Sequence, residues 1–168
     1  MGDRKGPTVD VEVGLTECDY GEWTGRKLTE LAKLKLWRVV QDHPSGVEFP
    51  GGERLQDVQS RAVSAVRRWD ARITKAHGNT ALWVAVSHAD VIKAIVADAL
   101  GMHLDLFQRI VVDPASVTAI RYTERRPFVL RQNDTGGDLA GLVPGKRRGR
   151  KPTEGDAAVG GGAGAVDT

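Results

Sequence analysis

The sequence predicts an α/β protein with three layers, in which helices cover both faces of a mostly parallel β-sheet. The main observation is residues 81–100, ALWVAVSHADVIKAIVADAL, in which an apolar run is followed by Ser87, His88 and a helical apolar repeat. A strand that is apolar at consecutive positions is typical of a sheet buried on both faces. A second observation is the long amphipathic helix predicted over residues 53–77. It leads into this strand, so the three elements form the helix–strand–helix pattern of an α/β fold, with right-handed crossovers.

The other elements follow from local patterns along the chain. Residues 1–7 are predicted to be a frayed lead-in, and residues 8–13 (TVDVEV) alternate in the manner of a half-buried strand near a sheet edge. A loop at 15–25 precedes a mostly helical stretch that Pro44 ends, and prolines and glycines then build a turn at 47–53. After the central unit we expect a helical turn at 102–108, a strand at 109–113 and a hairpin of strands at 117–122 and 128–132.

Composition limits the class of protein. The chain has 168 residues and a net charge of +2, which suits one domain of ordinary globular composition. Its single cysteine, Cys18, cannot form an intrachain disulfide, which predicts a reducing, cytoplasmic location. No apolar run approaches the length of a membrane span, and no apolar signal segment follows the first charges, so no membrane association is expected.

The chain divides at about residue 134. Residues 1–134 are predicted to form the α/β domain, and residues 135–168, rich in glycine, alanine and basic residues, a disordered tail. The tail carries a basic cluster that could touch a polyanion. Because no aromatic residue is interleaved with these charges, we interpret the tail as solvated and expect no nucleic-acid binding. The cluster consists of Lys146, Arg147, Arg148, Arg150 and Lys151.

Two places carry residues suited to chemistry. In the loop LTECDYGEWTG, Glu17 lies near Tyr20 and Trp23, and a carboxyl group among aromatic rings can keep its proton and act as a general acid. The alternative is an exposed acidic loop that these aromatic residues anchor to the core. His88 is predicted at the carboxyl end of a strand and before a helix N-terminus, where anions bind, which suggests phosphate chemistry. The alternative is a structural histidine that caps the helix.

The arginine-rich face of the helix at 53–77 allows two interpretations. It could be a platform for an anion, or an ordinary solvated face with Glu53 and Asp57 as partners. We favour the solvated face, because surface charges on helices usually do no more than this. The arginines are Arg54, Arg61, Arg67, Arg68 and Arg72.

Four motifs in this order, LTECDYGEWTG, FPGGERLQDVQSRA, VAVSHADVIKAIVADALGM and VDPASVTAIRY, resemble the histidine phosphatase superfamily over residues 8–133. The resemblance is greatest to its probable phosphomutases. It implies a phosphoglycerate mutase-like fold and phosphoryl transfer through a phosphohistidine, as a phosphatase or a phosphomutase on a small phosphorylated substrate, with no cofactor and no metal. Glu17 would donate a proton to the leaving group and His88 would hold the phosphoryl oxygens. Ala89 stands where glycine is usual, and its backbone N–H would bind the substrate phosphate. Arg54 stands where serine is common.

The resemblance also implies a nucleophilic histidine in an Arg-His-Gly motif, at the end of a first, central strand. None of the four histidines, His43, His77, His88 and His103, lies in such a motif. We therefore expect an N-terminally truncated chain that lacks this strand and is inactive or very weak alone. The strand at 81–86 would then have an unpaired edge, which favours a homodimer. The alternative functions are a non-catalytic remnant of the fold that binds a phospholigand or forms oligomers, and a polyanion-binding protein acting through the tail.

Overall fold

The computed structural model describes residues 9–136, and the structural statements below concern this part of the chain. Four α-helices and one two-stranded sheet form its regular structure, with short 3-10 helices between them. The helices are α1 (Leu28–Leu31), α2 (Lys35–Asp42), α3 (Leu55–His77) and α4 (Ala89–Ala99). The strands are β1 (Val117–Arg121) and β2 (Phe128–Asp134). The 3-10 helices are Val13–Leu15, Gly21–Trp23, Pro44–Gly46 and Leu104–Arg109.

The helices α3 and α4 pack against each other, and both contribute buried residues to the hydrophobic core. On α3 the buried residues recur at helical spacing, which is why the sequence predicted this helix almost to its ends. It ends at Gly78, whose φ of 88° is a conformation that glycine adopts easily. The buried residues of α3 are Leu55, Val58, Ala62, Ala65 and Val66.

The helical stretch expected between residues 26 and 43 is divided into α1 and α2. Leu34 between them has an extended backbone, and both Leu31 and Trp37 are buried in the core. On one continuous helix these two side chains would point about 120° apart, since each residue turns the helix by about 100°. The break lets both side chains face the core.

The expected mostly parallel sheet is not formed within residues 9–136. The sheet of this region is the antiparallel pair β1–β2, which confirms the predicted hairpin and has irregular register after Val117 and Ala119. Residues 8–13, 81–86 and 109–113 were expected to be strands, yet no strand is assigned there in the described region. The three-layer arrangement is therefore not seen in this part of the chain.

The physical reason is visible in the segment 81–86. A strand is defined by hydrogen bonds to a neighbour, and this segment has no such neighbour in the described region. Leu82, Val84 and Val86 are 93%, 81% and 90% exposed, whereas Trp83 between them is half-buried against the core. Ala85, which an alternating pattern would place on the same side as Trp83, is exposed as well, so Trp83 alone among residues 82–86 packs against the core. Val9, Val11 and Val13 are likewise exposed.

Aromatic rings fix the loop that contains Glu17 onto the helices. Trp23 is buried, stacks on Trp37 at 6.1 Å between ring centroids and meets Phe49 edge to face at 5.3 Å. Tyr20 contacts the same Phe49 ring at 5.1 Å. The predicted aromatic anchoring of this loop is thus present, and it places Glu17 at the rim of the core.

Two further predictions can be compared with the structure only in part. Within residues 9–136 no helix is long and apolar enough to cross a membrane. The predicted tail, with its basic cluster, lies outside the described residues apart from its first two positions, and so does the predicted lead-in at residues 1–7.

Candidate functional site

The structure brings Glu17 and His88 together, although they are far apart in sequence. The Oε2 atom of Glu17 lies 3.7 Å from Nδ1 of His88. His88 immediately precedes α4, and Ala89 is the first residue of that helix. The imidazole is 54% exposed and the Glu17 side chain 32% exposed, so a ligand can reach both groups from solvent.

Two hydrogen bonds join the loop to the start of α4. The hydroxyl of Ser87 donates to the carbonyl oxygen of Leu15 at 2.7 Å. The Tyr20 hydroxyl donates to Oδ2 of Asp90 at 2.9 Å. Because one contact lies before Glu17 in the loop and the other after it, they fix the position of the Glu17 backbone relative to His88.

The environment of Glu17 suits a proton donor. Burial raises the pKa of its carboxyl group, and the nearby Asp90 carboxylate raises it further. Three groups act in the opposite direction: the backbone N–H of Cys18, which donates to Oε1 at 2.9 Å, the imidazole of His88 and the guanidinium of Arg61. The raised pKa increases the fraction of Glu17 that is protonated near neutral pH, in line with the predicted general acid.

Arg61 holds the loop in place, which is not the solvated role expected for the arginines of α3. Its guanidinium donates to the backbone carbonyls of Gly14, Thr16 and Glu17 at 3.0, 2.9 and 3.1 Å. It also forms a two-pronged ion pair with Glu53, at 2.8 and 2.9 Å. No sequence pattern singles out Arg61 for this role, because Arg54 and Arg68 also directly precede apolar residues of α3, Leu55 and Trp69.

The remaining arginines of α3 agree better with a surface role. Arg67 donates to Asp98 at 2.8 Å and is 56% exposed, and Arg68 lies 3.4 Å from Glu12 and is 62% exposed. Arg72 lies over the Trp69 ring, with its guanidinium carbon 4.9 Å from the ring centroid. None of these contacts is with Glu17 or His88.

Two buried charges beneath the site escaped the sequence analysis. Asp90 is 2% exposed and Lys93 is fully buried. The ammonium of Lys93 lies 3.6 Å from Oδ1 of Asp90 and donates to Oε1 of Gln108 at 2.8 Å. Their signal was an acid and a base three residues apart in a helix that is otherwise apolar on its inner side.

The first turn of α4 offers groups for binding an anion. The first amide groups of an α-helix have no preceding helical carbonyl to bind, and the N-terminus carries the positive end of the helix dipole. The Ala89 N–H belongs to this turn. The other acidic residues of the loop are not part of this arrangement, since Asp19 accepts from Gly21 in a local turn and Glu22 is exposed. Within residues 9–136 no group of three or more histidine, cysteine or acidic side chains has a geometry that could hold a metal ion.

Comparisons with known proteins agree on one family. The model of the histidine phosphatase superfamily (branch 1) matches residues 1–135. Phosphoserine phosphatase 1 of Hydrogenobacter thermophilus is 31% identical over 137 residues, which are 80% of this chain and 63% of that protein.

Solved structures also match. YhfR of Bacillus stearothermophilus superposes with a TM-score of 0.64 at 25% identity, over 74% of this chain and 61% of that one. A phosphoserine phosphatase of Entamoeba histolytica, solved with phosphoserine, superposes with a TM-score of 0.66 over 77% of this chain and 64% of that one. At 18% identity this second likeness concerns the fold alone. In all three comparisons the match spans less than two thirds of the other protein.

Proposed function

The chain belongs to the histidine phosphatase superfamily, and on this basis we propose that it contains the proton donor and part of the phosphate site of a phosphomonoesterase. The observation that carries the proposal is the 3.7 Å approach of Glu17 to His88 at the N-terminus of α4. A proton donor and an anion site thus lie side by side, as hydrolysis of a phosphate ester requires.

In this proposal the phosphoryl group binds between His88 and the first turn of α4. The imidazole of His88 and the Ala89 N–H hold phosphoryl oxygens, where the positive end of the helix stabilises their charge. Glu17 gives its proton to the oxygen of the leaving alcohol as the P–O bond breaks. The raised pKa of Glu17 supports this role, because only a protonated carboxyl can donate.

A histidine nucleophile completes the proposed reaction. It takes up the phosphoryl group as phosphohistidine, and water releases inorganic phosphate in the second step. None of the four histidines lies in an Arg-His-Gly motif, so we assign this nucleophilic role to none of them. Leu82, Val84 and Val86 are exposed apolar side chains, and a further layer of the expected fold would cover them, since strand side chains stand above and below a sheet.

The substrate class is a small phosphomonoester. The name of one relative, a phosphoserine phosphatase, supports hydrolysis over mutase chemistry and makes phosphoserine the first compound to test. A cytoplasmic location and a homodimer remain predictions from the sequence. The homodimer would pair through the same edge of residues 81–86 that the central strand implied by the resemblance would occupy, so the two arrangements exclude each other.

The test starts from the protein isolated from its native source. Its intact mass shows whether it exceeds the 18.1 kDa of this chain, and its hydrolysis of phosphoserine and of p-nitrophenyl phosphate is then measured. We expect His88→Ala to abolish turnover of both substrates. We expect Glu17→Gln to abolish turnover of phosphoserine but to spare most turnover of p-nitrophenyl phosphate, because p-nitrophenolate leaves without a proton.

His77→Ala is the matched control, since His77 is an exposed histidine at the far end of α3. Equal activity of His88→Ala and His77→Ala would overturn the proposal. A native protein of 18.1 kDa that binds inorganic phosphate through His88 without turnover would instead favour the non-catalytic phospholigand-binding alternative. Calorimetry with inorganic phosphate, on the wild type and on His88→Ala, detects that outcome.

A further inference from the structure

A second loop, residues 47–53, lies against the loop that contains Glu17 and has no role in the chemistry proposed so far. Its last residue is Glu53, the ion-pair partner of Arg61. We propose that Glu53 is a positioning residue of the site, whose carboxylate fixes the backbone around Glu17 and so holds the proton donor beside the leaving-group oxygen. This inference rests on the proposed function, because it assigns Glu17 the role of general acid.

Hydrogen bonds in both directions join Glu53 to Asp19. Oε2 of Glu53 accepts the Asp19 N–H at 2.9 Å, and the Glu53 N–H donates to the Asp19 carbonyl oxygen at 2.8 Å. A third bond joins the same two loops, because the Glu22 N–H donates to the carbonyl oxygen of Pro50 at 2.8 Å. The loop of Glu17 is thus attached to the second loop just after the proton donor.

One carboxylate thereby holds the peptide groups on both sides of Cys18. Oε1 of Glu53 accepts Nε–H of Arg61 at 2.8 Å, and Oε2 accepts a second guanidinium N–H at 2.9 Å. The terminal nitrogen that makes this second bond also donates to the carbonyl oxygen of Glu17 at 3.1 Å. Glu53 therefore contacts Asp19 directly and Glu17 through Arg61. Without the carboxylate, Arg61 would lose the two parallel bonds that fix the orientation of its planar guanidinium.

The side chain of Glu17 depends on this stretch of backbone. Its Oε1 accepts the N–H of Cys18 at 2.9 Å, between the peptide groups that Glu53 holds, and its Oε2 lies 3.7 Å from Nδ1 of His88. Because the carboxyl group is bound to its own loop, it shifts when that loop shifts. Misplacement of a reacting group by about 1 Å can slow a reaction by roughly 100-fold, so even a small shift would impair proton transfer.

Glu53 and Glu17 are two carboxyl groups of one site that are suited to different roles. The hydrogen bonds from Arg61 lower the pKa of Glu53 most, burial acts in the opposite direction, and the Asp19 N–H lowers the pKa as well. For Glu17 the effect of burial is the largest, and its pKa is raised. Glu53 therefore remains an ionised anchor under conditions in which Glu17 can keep its proton.

The test compares phosphoserine with p-nitrophenyl phosphate as substrates of the native protein and its variants. We expect Glu53→Gln, which keeps the volume of the side chain, to lower kcat/KM for phosphoserine about tenfold but that for p-nitrophenyl phosphate less than about twofold, because p-nitrophenolate leaves without a proton. Glu53→Ala should lower the phosphoserine value further, since the glutamine oxygen can still accept the Asp19 N–H. An equal loss for both substrates, as expected of a merely structural residue, or no loss for phosphoserine would overturn the inference.

Asp98→Asn is the matched control. Asp98 also pairs with an arginine of α3, Arg67, and its side chain is 29% exposed against 28% for Glu53. The Asp98–Arg67 pair joins α4 to α3 and not to the loop of Glu17. This variant should leave the ratio of the two kcat/KM values unchanged, and the same selective loss in the control would overturn the inference.

Amide hydrogen exchange gives a second readout that does not require activity. In the 168-residue chain, followed by NMR, we expect Glu53→Gln to raise the exchange rate of the Cys18 amide about tenfold, whereas Asp98→Asn should leave it unchanged. A folded Glu53→Gln protein with unchanged exchange at Cys18 would overturn the inference, whether or not the protein hydrolyses phosphomonoesters. If the exchange rate rises but the native protein has no phosphomonoesterase activity, positioning by Glu53 is supported and the proposed function is not.

Discussion

Replacing Arg61 with alanine tests whether the loop that contains Glu17 is held in place chiefly from α3. The substitution removes five hydrogen bonds from one guanidinium, three to backbone carbonyls and two to the Glu53 carboxylate. It also leaves Glu53 without the group that lowers its pKa most strongly. We expect a large loss of stability, with the loop between Leu15 and Trp23 most affected.

The magnitude follows from these contacts. Hydrogen bonds that involve a charged group contribute about 1.5–3 kcal/mol each when fully buried. Arg61 and Glu53 are 22% and 28% exposed at their side chains, so water can replace part of what is lost. We therefore expect a decrease of about 2–4 kcal/mol in the free energy of unfolding, below the sum of five bonds. A typical domain has a free energy of unfolding of roughly 5–15 kcal/mol, so the expected decrease is a substantial fraction of it.

The assay is urea unfolding followed by the fluorescence of the buried Trp23 and Trp37. Arg61→Lys should lie between the wild type and Arg61→Ala, because one ammonium keeps the charge but cannot serve all the acceptors. Arg68→Ala is the matched control, since this exposed arginine two turns further along α3 makes a single 3.4 Å contact. If Arg61→Ala and Arg68→Ala unfold at the same urea concentration, the role assigned to Arg61 is refuted.

Two further predictions concern the same loop and the core beneath it. Gly21 has φ of 53°, and a side chain there would collide with the carbonyl oxygen of Pro50, whereas Gly25 has φ of 77° and open space around it. Gly25→Ala should thus cost only about 1–2 kcal/mol, and Gly21→Ala clearly more in the same urea assay; equal losses would contradict the close approach. The chain's two tyrosines, Tyr20 and Tyr122, should show no tyrosinate absorbance below about pH 11 while the protein is folded. Burial raises the pKa of both, to about 12 for Tyr122, so the stability they contribute is complete below about pH 10 and lost as the pH rises through the folded values. Absorbance that appears near pH 10, before unfolding, would disprove this.

The helices were predictable because their signals are local. The long helix α3 repeats apolar residues at helical spacing and ends before Gly78. The helix α4 begins at Ala89, two residues before the start that the apolar repeat from Val91 predicts. Glu17 and His88 were also predictable as separate candidates, one from its aromatic neighbours and the other from its place between an apolar run and a helix. Their distance of 3.7 Å was not, because it depends on contacts such as the Ser87–Leu15 hydrogen bond, which no spacing in the sequence encodes.

The expected mostly parallel sheet is not seen among the described residues for a related reason. Residues 81–86 are all apolar, so both faces of a strand formed by them would suit a buried environment. This inference uses only the segment itself and says nothing about its neighbours. Whether it becomes a strand depends on a hydrogen-bonded neighbour, which is a property of the whole assembly. Here Trp83 has its apolar neighbours while Leu82 and Val84 do not. An apolar pattern therefore predicts which surface can be buried, whereas the neighbouring segments of the fold decide whether that surface is buried.

Arg61 and Asp90 show why charged residues are the hardest part of a site to predict. A charged side chain on a helix is usually solvated, so assigning the arginines of α3 to the surface was correct for Arg68 and wrong for Arg61. The two lie on nearly the same face of α3, and they differ in that Arg61 meets carbonyl groups of a loop that aromatic residues hold against the core. Asp90 is buried for a similar reason, since Lys93 one turn later and Tyr20 from the loop both face its oxygens. In each case the charge is tolerated because a distant segment supplies its partners, so the same contacts that position Glu17 beside His88 also decide which charged groups surround it.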